Sequence, residues 1–194
     1  MEILKKLAVF MLATMAAVLL IAWSLHSFGF RSPIFAFVVN WFTLAWIATV
    51  TLVARISLPA GYYTSKPFER TGQVYERMGI RLVKRFLRRG PLRVLSPTLR
   101  LPTERTLPAL RNLENEMRKA ETAHAITFLC MLLVVGYALV QGRLDAGLWM
   151  LLFSIVINIY PILLQRYNRI KLQELIRRQD GREVVGPGGG GTVV

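Results

Sequence analysis

Four long apolar blocks, set apart by segments rich in lysine and arginine, decide most of what this chain can become. A soluble domain spaces its apolar residues periodically, so that one face of each element meets a core. Here 54% of 194 residues are hydrophobic and they run almost without interruption inside each block. About 20 residues, rising roughly 1.5 Å each in a helix, cross the hydrocarbon core of a bilayer. The expected fold is therefore an all-α integral membrane protein with four transmembrane helices.

The first block covers residues 1–25, with Lys5 and Lys6 ahead of LAVFMLATMAAVLLIAWSL. A charged start and an apolar run also describe a signal peptide, but this run exceeds a typical h-region and no clear small-residue cleavage site follows. It reads as an uncleaved span. Ser32 and Pro33 are suited to start the second helix, Ile34 to Ala54, which Arg55 ends. Asn40 inside it is expected to bond a neighbouring helix. The third span runs from Ala123 to Gln141, a turn from Gly142 to Ala146, and the fourth span from Gly147 to Leu164.

Charge supplies the orientation. Of the 25 Lys and Arg residues, 15 fall in 55–119, six follow from Arg166 and two precede the first span. The two short connecting loops carry one each, Arg31 and Arg143. The positive-inside rule puts both termini and the large loop in the cytoplasm of a multi-pass cell-membrane protein. The net charge of +14 flanks apolar spans, where anionic lipid attracts it, so no nucleic acid is implied.

The organisation that follows is 1–54 for the first two helices, 55–119 for a basic cytosolic or interfacial loop, 120–180 for the second pair with a polar cytosolic mouth, and 181–194 for a disordered, glycine-rich tail. Within the loop, Glu76 to Arg89 puts Met78, Leu82, Val83, Phe86 and Leu87 on one helical face. Arg77, Arg81, Lys84, Arg85, Arg88 and Arg89 fall largely on the other, as in an amphipathic helix lying in the membrane interface. Leu110, Leu113 and Met117 then resume a helical stripe that leads into the third span.

The polar residues worth most attention collect where the fourth apolar run stops, at YPILLQRYNR, Tyr160 to Arg169. Taking Leu144 as the hairpin centre, His124 lies 20 residues before it and Gln165 lies 21 after it. Equal helical rise then sets Glu121, His124, Gln165, Arg166, Asn168 and Arg169 at one depth. Glu121 and His124 are spaced i, i+3 and share a face. A carboxylate beside an imidazole fixes its tautomer and raises its basicity, as a general base requires; the pair equally suits a structural bond to Arg118 or Arg169. Pro161 crowds the carbonyl of Ile157 and is expected to kink the fourth helix beside Asn158.

Several chemistries are absent from the sequence. There is no G-x-S-x-G elbow, P-loop, H-E-x-x-H or dinucleotide fingerprint. Neither His26 nor His124 begins an HxxxxD box, and two histidines on opposite sides of a membrane do not make a metal site. Cys130 is the only cysteine, so it forms no intrachain disulfide.

Three blocks carry a family resemblance. The first is F-E-x-x-G-x-x-Y-E followed by I-R-x-x-K, here Phe68, Glu69, Gly72, Tyr75, Glu76, Ile80, Arg81 and Lys84. The second is Glu121 with His124, and the third is N-x-x-P-x-x-x-QRYNR, here Asn158, Pro161 and Gln165 to Arg169. Together they resemble the glycosyl-4,4'-diaponeurosporenoate acyltransferase family of the staphyloxanthin-type carotenoid pathway. Val83 stands where the family tends to have Trp, and the Pro-rich 91–108 stretch is poorly matched. The resemblance implies an acyltransferase that esterifies a sugar hydroxyl of a glycosylated carotenoid or similar glycolipid, with acyl-CoA as co-substrate, no bound cofactor and no metal. For such a transfer the expected catalytic residues are His124, as the base that takes the hydroxyl proton, and Glu121, which orients it. The expected substrate-binding residues are Gln165, Arg166, Tyr167, Asn168, Arg169, Asn158, Glu69, Arg81 and Lys84. The alternative is a non-enzymatic membrane scaffold or lipid-binding protein.

Overall fold

The computed structural model describes residues 1–69, 72–82, 85 and 106–184, the side chains of 181–184 excepted. Among these residues every regular element is a helix. In chain order they are α1 (Glu2–Phe28), α2 (Pro33–Ala54), the short α3 (Ala60–Tyr63), a 3-10 turn (Pro67–Glu69), α4 (Gln73–Arg77), α5 (Leu107–Val140), α6 (Leu144–Ser154), a π-helical turn (Ile155–Ile159) and α7 (Tyr160–Val184). Four helical stretches, Glu2–Phe28, Pro33–Ala54, Leu107–Val140 and Leu144–Asp180, are long and apolar enough to cross a membrane. The last helix runs to Val184, into the stretch expected to be a disordered tail from 181; residues 185–194 and the Pro-rich 91–105 stretch lie outside the described residues.

Local chemistry sets the helix ends. The Ser32 hydroxyl accepts from the Ile34 amide at 3.2 Å, and Pro33 occupies the first helical position, as the sequence suggests. Arg55 closes α2 in the left-handed region at φ 53°, its N–H bonded to the Thr51 carbonyl. The fourth span departs from a plain α-helix at Ile155–Ile159. Pro161 has no N–H for the Ile157 carbonyl, and the turn just before it widens to a π-helix, a common accommodation at such points.

The chain divides into two compact units, Met1–Tyr63 with Lys119–Leu163, and Thr64–Arg118 with Leu164–Val194. In the first unit α1 packs along α2, and Trp46 Nε1 donates to Thr14 Oγ1 across that contact at 2.9 Å. Phe35, Ala36 and Val39 of α2 share a core with Met131 and Val135 of α5 and Met150 of α6. At the short connections, Arg31 approaches Asp145 at 3.8 Å and the Arg143 guanidinium lies 5.2 Å from the centre of the Phe30 ring. The outward faces remain apolar: Leu133, Val140, Leu144 and Leu148 are all exposed. That is the surface hydrocarbon would cover.

The α5–α6 hairpin is tighter than the sequence suggests. Arg143 N bonds the Ala138 carbonyl and α6 begins at Leu144, so the turn is centred near Gly142 rather than Leu144. A Cβ on Gly147 would sit 3.1 Å from the Leu139 side chain, so the two helices pack closely just beyond the turn. Moving the centre by two residues moves the facing residue by twice that, about one helical turn. His124 lies against Asn158 and the Ile157 backbone, earlier in the fourth span than Gln165.

In the second unit, Leu110, Leu113 and Met117 of α5 meet Leu172 and Ile176 of α7. The helical stripe expected there is this contact. Gln173 ties the same surfaces together, donating to Glu114 Oε1 at 2.8 Å and accepting from Ser65 at 3.3 Å. The amphipathic helix expected from Glu76 does not start there. The backbone turns at Met78–Gly79, with Gly79 at φ +80°, and helix resumes at Ile80. Ile80 is buried, whereas Met78 and Leu82 are exposed. Val83, Phe86 and Leu87 lie outside the described residues.

Gly72 decides how α4 approaches α7. Its φ is +72°, and a Cβ there would lie 3.0 Å from Cε2 of Tyr167. Both terms oppose a side chain, the left-handed backbone alone by about 1–2 kcal/mol. Gly72→Ala is expected to lower the thermal unfolding midpoint of the detergent-solubilised protein. Gly136→Ala, where a Cβ meets nothing within 4 Å and φ is ordinary, should leave it unchanged.

Candidate functional site

Polar residues inside the first unit form a short directed chain. Asn40 and Asn158 are both 0% exposed. Asn40 Nδ2 donates to the Ala36 carbonyl at 2.9 Å, which leaves Asn40 Oδ1 to accept from Asn158 Nδ2 at 3.2 Å. Asn158 Nδ2 also reaches Ser154 Oγ at 3.3 Å. Asn40 thus bonds a neighbouring helix, as expected of an amide in such a span. His124, part-buried, faces the Asn158 side chain and the Ile157 backbone. Its Nδ1 and Asn158 Oδ1 are buried with no hydrogen-bond partner. Glu121, one turn before His124, is 0% exposed and engaged in interactions of its own. Nearby in sequence, Thr122 shares a hydrogen bond with Tyr63, whose hydroxyl also accepts from the Leu58 amide at 3.1 Å.

The second unit holds a different arrangement, a cluster around Glu69 whose charges are met by partners. The Glu69 carboxylate accepts from the Lys66 amide at 2.8 Å and from the Tyr75 hydroxyl at 2.7 Å. Arg166 Nη2 reaches both of its oxygens at 3.1 Å, and Arg166 Nε reaches the Tyr75 oxygen at 3.3 Å. Beside this, Glu76 accepts from the Tyr167 hydroxyl at 2.8 Å and pairs with Arg81 at 2.6 Å. The Tyr75 and Tyr167 rings meet edge to face, 6.4 Å apart.

Burial alone would raise the Glu69 carboxyl, but the Lys66, Tyr75 and Arg166 bonds and the Arg166 charge outweigh it and hold it below the ordinary carboxylate value. Burial and the neighbouring carboxylate push Tyr75 up to about 12, so it stays a donor. The Tyr167 hydroxyl bond, together with Arg81, holds Glu76 low as well.

These placements sort the residues marked in the sequence. Glu121, His124 and Asn158 belong to the first unit; Glu69, Arg81 and Gln165 to Arg169 belong to the second. Lys84 lies outside the described residues. Gln165, Tyr167 and Asn168 are buried, and Arg169 is 1% exposed. Arg81 keeps 70% of its side chain exposed. Sequence reasoning did not single out Ser154 or Tyr63, because neither lies in a recognisable spacing. Only three-dimensional packing brings Ser154 to Asn158 and Tyr63 to Thr122.

The Glu69–Arg166 pair yields a stability prediction. Both side chains are nearly enclosed, Glu69 at 7% and Arg166 at 12% exposure. Removing one partner strands the other, so Glu69→Ala should cost about 3 kcal/mol. Because folding lowers the Glu69 carboxyl, its contribution is full above the ordinary carboxylate value and is lost as pH falls through the lowered one. Thermal unfolding followed from neutral to acid pH should show a decline in the wild type that is weaker in Glu69→Gln.

The family model for glycosyl-4,4'-diaponeurosporenoate acyltransferase matches residues 59–178. No curated protein matches the chain, and no solved structure does. The matched region contains Glu69, Gly72, Tyr75 and Glu76, the Glu121 and His124 pair, and Asn158 through Arg169. It covers well over half of the chain, which therefore belongs to the glycosyl-4,4'-diaponeurosporenoate acyltransferase family.

Proposed function

We propose that this protein is a membrane acyltransferase that moves a fatty acyl group from a coenzyme A thioester onto a sugar hydroxyl of a glycosylated carotenoid or similar glycolipid. The family match over residues 59–178 carries this reading. Four helices able to cross a membrane suit an acceptor with a long apolar body and a polar head. We place it in the cell membrane with both termini cytoplasmic, since the basic residues crowd those segments.

His124 is the base. Its ring takes the proton of the attacking hydroxyl as the oxygen bonds to the thioester carbon. The carbon–sulfur bond then breaks, and the same proton passes to the departing thiolate, giving an ester and free coenzyme A. Glu121, one turn away, supports the charge that His124 carries during the step. Donor phosphates are met by basic residues such as Arg81 and Lys84; Arg81 reaches solvent, whereas Arg169 is enclosed. Glu69 and Arg166, bonded to each other, act by fixing the stretch that presents Gln165 and Asn168.

The purified protein in nanodiscs, given acyl-CoA and a panel of polyprenoid and carotenoid glycosides, should yield the ester by mass spectrometry. His124→Ala is expected to lower kcat about 100-fold or more while the variant remains folded. Normal turnover by that variant removes His124 as the base. No ester from the wild type with any acceptor favours a scaffold or lipid-binding role instead.

A further inference from the structure

Three buried polar side-chain atoms of the first unit have no partner; Trp41 Nε1 stands apart, and the other two belong to neighbouring side chains, His124 Nδ1 and Asn158 Oδ1. An unpaired buried acceptor costs about 1–3 kcal/mol, so each such atom calls for an explanation. The orientation of the Asn158 amide follows from the bonds around it. A backbone carbonyl can only accept, so the Ala36 carbonyl requires the amide nitrogen of Asn40. Asn40 then presents its oxygen, which requires the amide nitrogen of Asn158. Asn158 is left with its own oxygen unused, in a residue 0% exposed.

A second acceptor faces the same imidazole. His124 lies against the backbone of Ile157, and Pro161 carries no N–H to serve that carbonyl in the usual i, i+4 manner. The π-helical turn at Ile155–Ile159 contains both Ile157 and Asn158. The imidazole edge that meets this turn therefore looks onto two oxygens that only accept. A neutral ring satisfies them only by placing its single proton on that edge.

We infer that Asn158, oriented by Asn40, is the positioning residue of His124, accepting from Nδ1–H and leaving Nε2 as the basic nitrogen. The inference deepens the proposed function and rests on its assignment of His124 as the base. It gives Asn158 a task other than substrate binding. The logic is that of any base held in one tautomer by a third group that is itself held. Ring orientation is fixed without placing another charge in the apolar interior, which a carboxylate in the same position would do.

The tautomer can be read directly. The chain has only two histidines, so protein labelled with 15N-histidine in the His26→Ala background gives the signals of His124 alone. In nanodiscs at neutral pH the expected spectrum is the Nδ1–H form. Asn158→Leu should shift it toward Nε2–H and lower kcat about 100-fold, with KM little changed. Asn158→Asp, which restores an acceptor, should keep the Nδ1–H form. Should Asn158→Leu fail to fold, Asn40→Leu serves, since it frees the Asn158 amide to rotate and should yield a mixture of tautomers. An Nε2–H spectrum in the wild type, or Asn158 variants with unaltered tautomer and kcat, overturns the inference. The spectrum needs no turnover, so it decides this point whether or not the acyl-transfer reading survives.

Discussion

No water reaches the middle of a bilayer to satisfy a polar group, and this condition shapes the whole first unit. Backbone groups are met inside the helices, which is why the apolar blocks become helices at all. Polar side chains must then find one another, turn back on their own helix or remain unmet. Thr14, Ser24, Thr49, Thr51 and Thr127 turn back, each hydroxyl donating to a carbonyl three or four residues earlier. Asn40 and Asn158 have more groups than one helix can satisfy, so they bond across helices. Their meeting specifies how α2 lies against the fourth span more sharply than the interchangeable apolar contacts around it.

Two of the sequence blocks that mark the family turn out to recognise each other. Glu69, Tyr75 and Glu76 come from one, Arg166 and Tyr167 from the other, and each charged or hydroxyl group in this set bonds across the gap of about 90 residues. Gly72 belongs to the same fit, since the Tyr167 ring fills the space a side chain would occupy. The motif spacing F-E-x-x-G-x-x-Y-E is thus explained by what α4 must present to α7: a carboxylate, a bare backbone, a phenol and a second carboxylate.

Much of the fold is legible in the sequence because it depends on local chemistry. Block length gives the spans, Ser32 and Pro33 give the start of α2, and Pro161 marks the disturbed turn, although its form as a π-helix is not written in the residue itself. What depends on long-range pairing is less legible. Nothing in the spacing of Glu69 reveals Arg166 as its partner, and an exposed binding role was the natural reading of both. The hairpin turn is shorter than its residue types suggest, since α6 already begins at Leu144, and a shift of two residues in a turn doubles along antiparallel helices. The amphipathic pattern from Glu76 overlooked Gly79, whose positive φ interrupts the helix before Ile80.

The Glu69 cluster and the surroundings of His124 treat polarity in opposite ways, and that contrast bears on where reactivity resides. Around Glu69 each carboxylate oxygen has donors, and the arginine beside it is matched. Such a network holds its carboxylate charged and its tyrosine protonated, which suits a fastening and works against proton transfer near neutrality. Around His124 the account does not close: an imidazole nitrogen and an amide oxygen stand buried beside each other, at a turn widened by proline. Apolar packing gains nothing from that arrangement, since a hydrocarbon of similar shape in place of His124 would remove an uncompensated polar atom. A general base, in contrast, needs one nitrogen committed to a fixed acceptor and the other kept bare.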